Sequence, residues 1–316
     1  MDFHLHTSYS DGSMTPEQVV DWAFLNGYNI IVITDHNELH GALIAEKYAL
    51  KKYKNSLIVI PGVEYTNCRV HMNLINIRKL SNLYGAYPSD EEIQTIIKQT
   101  HKNGGIAILN HIPWSHHIQF GKTNSRLSQH PSVTQAIKWG IDGIEIINEN
   151  IYDQYTLNFL NKNDQQLLKV TGTDLHNPGS AYAWSLLPKT VPLTTKGVMN
   201  YLKNKTNTID HIFYPIGTPT IVHPKFNPKH AYVIPLMILA NVFGSFFTLD
   251  QGMYSFHGSF CHQETLTVHY FSIFVFYLFL YLCLLIIDGF SLLFKWVMPR
   301  NNNFRYALLR QYSRSP

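Results

Sequence analysis

The stretch Met1-Asp2-Phe3-His4-Leu5-His6-Thr7-Ser8-Tyr9-Ser10-Asp11 decides how the chain is read. His4 and His6 stand two apart in an otherwise apolar run. On a β-strand, side chains at i and i+2 leave the same face, so both imidazoles converge on one point. Paired imidazoles suit Zn, Mn or Fe, and the Asp11 carboxylate on the following loop can join them. A single His-x-His is weak by itself, because ordinary surface and core histidines produce it too. The question is whether the rest of the chain supplies partners.

Working outward, short apolar runs alternate with amphipathic segments as far as about residue 224. Thr15-Pro16 predicts a helix start, with Thr15 as N-cap and Pro16 at the first helical position, and Asn26-Gly27 predicts its stop. A β-branched strand over 29–34 runs into Asp35-His36. A helix over 39–52 and a strand over 56–60 lead to Gly62-Val63-Glu64. Residues 71–77 alternate as a strand, 91–102 read as a helix ending at Gly104-Gly105, and 106–109 as a strand ending in Asn110-His111. Strands over 141–148 and 167–171 flank a helix near 154–161. Continuous apolar strands between helices predict a parallel sheet covered on both faces. The polar residues gather where strands end, which is where a β/α barrel keeps its active site.

Composition agrees with a folded chain. Of 316 residues, 45% are apolar and 15% charged, enough for a sizeable core, and a net charge of +4 does not point to nucleic acid. Seventeen histidines are many for this length. Cys68, Cys261 and Cys283 show no Cys-x-x-Cys spacing and read as free thiols. No basic, apolar and small-residue series opens the chain, so no cleaved signal peptide is expected.

The last third differs. Neither 231–249 nor 268–287 contains a charged residue, and both are predicted to span a bilayer, the second over about 268–290. Lys225 and Lys229 precede them; Lys295, Arg300, Arg305, Arg310 and Arg314 follow, with no Lys or Arg between 229 and 295. The positive-inside rule then puts both ends in the cytoplasm and residues 250–267 outside. The expected organisation is a barrel over 1–224, a transmembrane hairpin over 225–294 and a basic cytoplasmic tail over 295–316 that attracts anionic lipid.

Nine strand-end residues are of the types a metal cluster needs: His4, His6, Asp11, His36, Glu64, His71, His111, Asp174 and His176. Singly each has a plain explanation. Asp35 and Asp174 could cap helices, His36 could be a core histidine, and Glu64 could pair with a lysine. Together they are harder to dismiss. His4-Leu5-His6 with Ser10-Asp11-Gly12, Thr34-Asp35-His36, Gly62-Val63-Glu64, His71, Asn110-His111, Gly143-Ile144-Glu145 and Asp174-Leu175-His176 occur in that order and resemble the PHP family, the polymerase and histidinol phosphatase domain. The resemblance covers roughly 1–177. It implies a distorted (β/α)7 TIM-like barrel with two or three divalent ions (Mn, Zn or Fe) that hydrolyses phosphoesters.

Carried over by motif, His4, His6, Glu64 and Asp174 resemble the ligands of a first ion. His36, His176 and Asp11 resemble those of a second, Asp11 filling a place that is histidine in some relatives. Glu64 would bridge to a third completed by His71 and His111. Asp174 and His176 are also the residues expected to act in catalysis, His176 as a source of the leaving-group proton. Two close cations lower the pKa of a shared water and neutralise charge in an in-line displacement. Around the site, His116 and His117 are candidates for holding phosphate and Trp114 for stacking on a base or sugar, or for packing the rim.

The expected activity is thus that of a membrane-anchored metal-dependent phosphoesterase with its barrel in the cytoplasm. Its substrate would be a phosphorylated small molecule, a nucleotide or a short single-stranded oligonucleotide, and its other partners membrane lipids. No obligate protein partner is evident. Two other readings fit part of the pattern: an amidohydrolase-like C–N hydrolase, which also begins with His-x-His, and a non-catalytic metal-binding scaffold at the membrane.

Overall fold

The first helix begins for the reason its sequence suggests. The Thr15 hydroxyl accepts the Gln18 N–H and the Gln18 side chain accepts the Thr15 N–H, a capping box ahead of Pro16. The computed structural model describes residues 1–54, 56–80, 85–116, 127, 129–163, 166–204, 206–213, 242, 244, 246–250, 253–254, 260–262 and 265–297. The elements run α1 (Pro16–Leu25), β1 (Ile30–Ile33), α2 (His40–Lys52), β2 (Ile58–Thr66), β3 (His71–Ile75), α3 (Asp90–Lys102) and β4 (Ile106–Leu109). They continue through α4 (Ile112–His116), α5 (Val133–Trp139), β5 (Gly143–Asn148), β6 (Ile151–Tyr152), α6 (Gln154–Lys162), β7 (Leu168–Gly172), β8 (Ala183–Leu186), α7 (Thr195–Lys203) and β9 (Asp210–Phe213). Four short strands and one long helix follow: β10 (Phe247–Asp250), β11 (Met253–Tyr254), β12 (Phe260–His262), β13 (Thr265–Val268) and α8 (Tyr270–Val297).

The sheet curls until it meets itself. β1 pairs parallel with β2, β4 with β5, and β5 with β7, while β3 runs antiparallel between β2 and β4. Residues 2–6 fill the gap. On one side Asp2 donates to Ile30 O and accepts from Val32 N–H, and Leu5 O accepts from Thr34 N–H. On the other, Phe3 donates to Thr171 O, His6 donates to Leu175 O, and His4 O accepts from Asp174 N–H. Seven extended segments therefore form one ring of backbone hydrogen bonds, an α/β fold of TIM-like kind.

Reversal of β3 corrects the expectation of an all-parallel sheet. A parallel crossover needs a dozen or more residues, and only 67–70 join β2 to β3. Asn67 makes that short turn, its side-chain oxygen accepting from Arg69 and Val70 N–H.

Alternation along each strand builds two cores. Ile31 and Ile33 of β1, with Ala107 and Leu109 of β4, pack in one cluster with residues of the outer helices such as Val20, Ala45 and Ile93. Ile30, Val32, Ile106, Ile108 and Val170 join Val198, Met199 and Leu202 of α7 in a second. Ile30, Ile106 and Leu168 open their strands, so α7 covers that end of the ring and leaves the opposite rim to the polar residues.

Two sequence expectations fail beyond β9. Cys68 and Cys261 are not free: they form a disulfide with Cα atoms 5.2 Å apart, 193 residues apart in sequence, and only Cys283 is unpaired. Spacing motifs cannot reveal partners so distant. The antiparallel pair β11–β12, which carries Cys261, falls within the same compact unit as the ring, made of Met1–His223 and Gly252–Gln263. That hairpin is therefore not separated from the barrel by a membrane, as its place in a loop on the opposite side had implied.

The second compact unit comprises Pro224–Gln251 and Glu264–Pro316. In it β10 pairs antiparallel with β13, from Phe247 opposite Val268 to Asp250 opposite Thr265. Residues 247–249 are thus strand, and the first expected span over 231–249 does not continue as a helix to its end; 231–241 lie outside the described residues. Among the described residues one helix is long and apolar enough to cross a membrane, Tyr270–Leu293, with none of its most hydrophobic window buried.

Candidate metal centre

Every ligand candidate reaches the same rim because of where its strand ends. His4 and His6 close segment 2–6, His36 follows β1, Glu64 lies near the end of β2, His111 follows β4, and Asp174 and His176 follow β7. His71 is the first residue of β3, and because β3 is reversed its start lies opposite Thr66 at the end of β2. A parallel strand would have carried it to the far end.

The nine candidates collect in three overlapping groups: His4, His6 and Asp174; Asp11, His36 and His176 with His6; and Glu64, His71 and His111. In the first, His4 Nε2 and His6 Nε2 are 3.1 Å apart and stand 3.3 and 3.0 Å from Asp174 Oδ1. In the second, Asp11 Oδ2 lies 3.4 Å from His36 Nε2 and 3.3 Å from His176 Nε2. In the third, Glu64 Oε1 lies 3.2 Å from both His71 Nδ1 and His111 Nε2. The other oxygen of Glu64 is 2.8 Å from His36 and 3.5 and 3.6 Å from His4 and His6, so one carboxylate touches all three groups.

Burial falls off toward solvent. The third group is wholly buried, whereas the side chains of Asp11 and His176 are 38% and 30% exposed. Burial opposes charge, yet proximity wins at most positions. Burial would raise Asp174 and Glu64, but the surrounding imidazoles hold both carboxyls well below their usual range. Burial would likewise lower His36 and His176; the carboxylates of Glu64, Asp11 and Asp174 instead lift them to about 10 and about 9. His6 goes the other way, pushed down to about 4 by burial and by the neighbouring His36 and His4.

The backbone is strained here. Asp174 sits at φ 51°, His111 at 21° and Asn37, beside His36, at 50°, a region that non-glycine residues enter at a cost of about 1–2 kcal/mol. Such strain persists where surrounding contacts over-determine it.

Donor atoms around a cation held at about 2.0–2.2 Å stand roughly 3.0–3.4 Å from one another. The contacts within each group fall in or next to that range. Both ring nitrogens of His71 and Glu64 Oε2 are buried without an aligned hydrogen bond; cations in the cluster would satisfy the carboxylate oxygen and one of the two nitrogens. The residues present fit divalent metal.

Several supporting residues carried no assigned role in the sequence. Glu145 accepts His111 N–H and Asn148 Nδ2 on Oε2 at 2.9 and 3.0 Å, while its Oε1 is 3.1 Å from His4 Nδ1. The signal was available, since the one acid inside the run Gly143-Ile144-Glu145-Ile146-Ile147 must be paired if that run is buried. Asn110 Nδ2 donates to Glu64 Oε1. Asp35 caps no helix; it accepts Thr7 N–H, Thr7 Oγ1 and Ser10 Oγ and so ties down the loop that carries Asp11. Trp114 lies 4.9 and 5.4 Å from the rings of His111 and His71, walling the third group. His116 ends α4, and His117 lies outside the described residues.

Comparison with known proteins agrees with this layout. A sequence profile described as the PHP domain matches residues 2–173. An uncharacterized protein of Methanocaldococcus jannaschii is 42% identical over 72 residues, which are 21% of this chain and 33% of that protein; the chain thus matches about a third of that relative's length. Among solved structures, a two-domain protein from Bacteroides vulgatus containing a predicted PHP-like metal-dependent phosphoesterase superposes with a TM-score of 0.52 at 21% identity, over 67% of this chain and 64% of that one. An amidohydrolase from Chromobacterium violaceum, solved with sulfate and no metal, gives 0.42 at 15% identity over 56% and 88% of the two chains. The first supports the fold; the second, at that score, adds nothing to it.

Proposed function

The chain belongs to the PHP domain family, and from that premise we propose that it is a membrane-anchored phosphoesterase whose three ligand groups hold two or three divalent cations, Mn, Zn or Fe. Its substrate is a phosphorylated small molecule, a nucleotide or a short oligonucleotide, and α8 is the anchor. The observation that carries this reading is the carboxylate of Glu64, which lies within 3.6 Å of imidazoles from all three groups. One bridging carboxylate among convergent imidazoles is an arrangement for adjacent cations.

When bound, the cations polarise the phosphoryl oxygens and activate the attacking water. The protein's own residues position and protonate. Glu145 holds His4 Nδ1, which turns His4 Nε2 toward the cluster. Asp174 holds His4 and His6 together from the strained turn after β7. His176 Nδ1 donates to Asp174 O, leaving Nε2 at the exposed rim beside Asp11. With cations in the first and third groups alone, that nitrogen keeps its proton and gives it to the leaving oxygen; with a cation in the second group it would be a ligand instead.

The test uses the full chain in detergent. Metal content is measured, and phosphomonoesters, cyclic nucleotides and short RNA are offered with added Mn or Zn. Turnover that is lost with chelator and with Asp174→Ala is the expected result. Hydrolysis of amides in place of esters would move the chain to C–N chemistry, and a protein that takes up no metal would leave neither enzyme standing.

A further inference from the structure

Resting on the membrane anchor just proposed, we infer that the catalytic unit lies on the extracytoplasmic, oxidising side of the membrane, so that its phosphoester substrate and its cations are drawn from that side. Three observations meet here. First, the chain leaves the catalytic unit after His223 and re-enters it at Gly252, where the Cys68–Cys261 disulfide fastens the β11–β12 hairpin to the turn between β2 and β3. Between those points it crosses any membrane an even number of times. Two crossings take about 40 residues, and Pro224–Gln251 is too short for them, so the number is zero. Tyr270–Leu293 is then the crossing between the catalytic unit and residues 295–316, which lie on opposite sides.

Second, charge assigns the sides. After the span come Lys295, Arg300, Arg305, Arg310 and Arg314 with no acid; before it, Asp250 and Glu264 are the only charged residues back to Lys229. Only cations within about 15–20 residues of a span orient it, which counts all but the most distal arginine of the tail and leaves Lys225 and Lys229 out of range. The tail is cytoplasmic, and the ring is not.

Third, the disulfide agrees independently. Disulfides persist in oxidising compartments and are rare where thiols are kept reduced. Cys68 is fully buried and pairs across 193 residues, and the only other cysteine, Cys283, lies within the span, so no competing thiol exists in the catalytic unit. The positive-inside rule and the disulfide use different atoms and reach the same side.

Neither readout of the test needs substrate. The full chain, with a C-terminal green fluorescent protein, is expressed in a Gram-negative host and spheroplasts are treated with protease. The inference expects digestion of the catalytic unit while the fluorescent tail survives. Denatured without reductant, the untagged chain should take up one polyethylene-glycol maleimide, at Cys283, and three after reduction; untagged Cys68→Ser should take up two without reductant. A protected catalytic unit, or three reactive thiols without reductant, overturns the inference. Recovery in the soluble fraction overturns the anchor and this inference with it, while leaving the metal-dependent hydrolysis of esters untouched.

Discussion

Glu145 Oε1 stands 3.1 Å from Nδ1 of His4, and that contact determines which nitrogen of the imidazole faces the ligand cluster. The other oxygen of Glu145 accepts two N–H groups, from His111 and Asn148, so it must remain an oxygen. In Glu145→Gln the amide nitrogen is therefore forced toward His4. It donates to Nδ1, moves the imidazole proton to Nε2 and removes the lone pair aimed at His6 and Asp174. Metal affinity should fall about 10–100-fold, the usual effect of losing an orienting partner, with little change in the melting temperature of the metal-free protein. Isothermal titration with Mn or Zn checks the first statement and thermal unfolding the second; unchanged affinity would remove Glu145 from the site.

Acidity should move metal affinity and metal-free stability in opposite directions. His36 and His176, raised to about 10 and about 9, carry protons at neutral pH in the metal-free protein. A cation entering the second group must displace those protons, so affinity there should climb with pH until both groups have titrated. Their raised pKa values also stabilise the metal-free fold, fully below the unfolded value of about 6.5 and progressively less as pH rises through the folded values. The melting temperature of the chelated protein should decline from about pH 6.5 toward pH 10. A flat profile over that window would contradict the electrostatic description of the site.

His176 is expected to matter most when the leaving group is poor. If its Nε2 delivers the leaving-group proton, His176→Gln should slow an alkyl phosphate by about 10²–10⁴-fold. A nitrophenyl ester, whose leaving oxygen needs no proton, should slow far less. Equal losses on both substrates would mean that His176 serves only to hold metal or structure.

Gly172 leaves room for the ligands of its neighbours. A Cβ there would collide with the Glu145 carboxylate and come within 2.5 Å of the His4 Cβ. Gly172→Ala should cost about 1–3 kcal/mol of stability, as overpacked sites do, and weaken metal binding together with it. Gly85→Ala, which meets nothing within 4 Å, is the matching control and should change neither.

Local signals were legible wherever the chain settles its own conformation. Thr15-Pro16 begins α1, Gly27 ends it at φ 78°, and the run 106–109 is β4. The i, i+2 spacing of His4 and His6 brings their Nε2 atoms within 3.1 Å. What was not legible depends on partners far away in sequence. Cys68 gives no local sign of Cys261, and the direction of β3 is set by the shortness of the turn before it. Glu145 was visible as an acid in an apolar run, but its role depends on which atom of His4 it meets. Residues 247–249 read as membrane span by hydropathy, whereas pairing with β13 decides their conformation. Apolar character alone does not distinguish strand from span.

Residues 2–6 close the ring and also carry His4 and His6, and this sets the order in which the molecule can be made. Their partner Asp174 lies 168 residues beyond His6, so during synthesis both imidazoles emerge long before the carboxylate that joins them. Pairings over such separations form late in folding. The first cation group cannot assemble on a growing chain until β7 has appeared and the two ends of the ring have met. Metal uptake at that group is therefore a signal of completed folding, and a chain cut short before Asp174 would leave its first two ligands without the carboxylate that joins them.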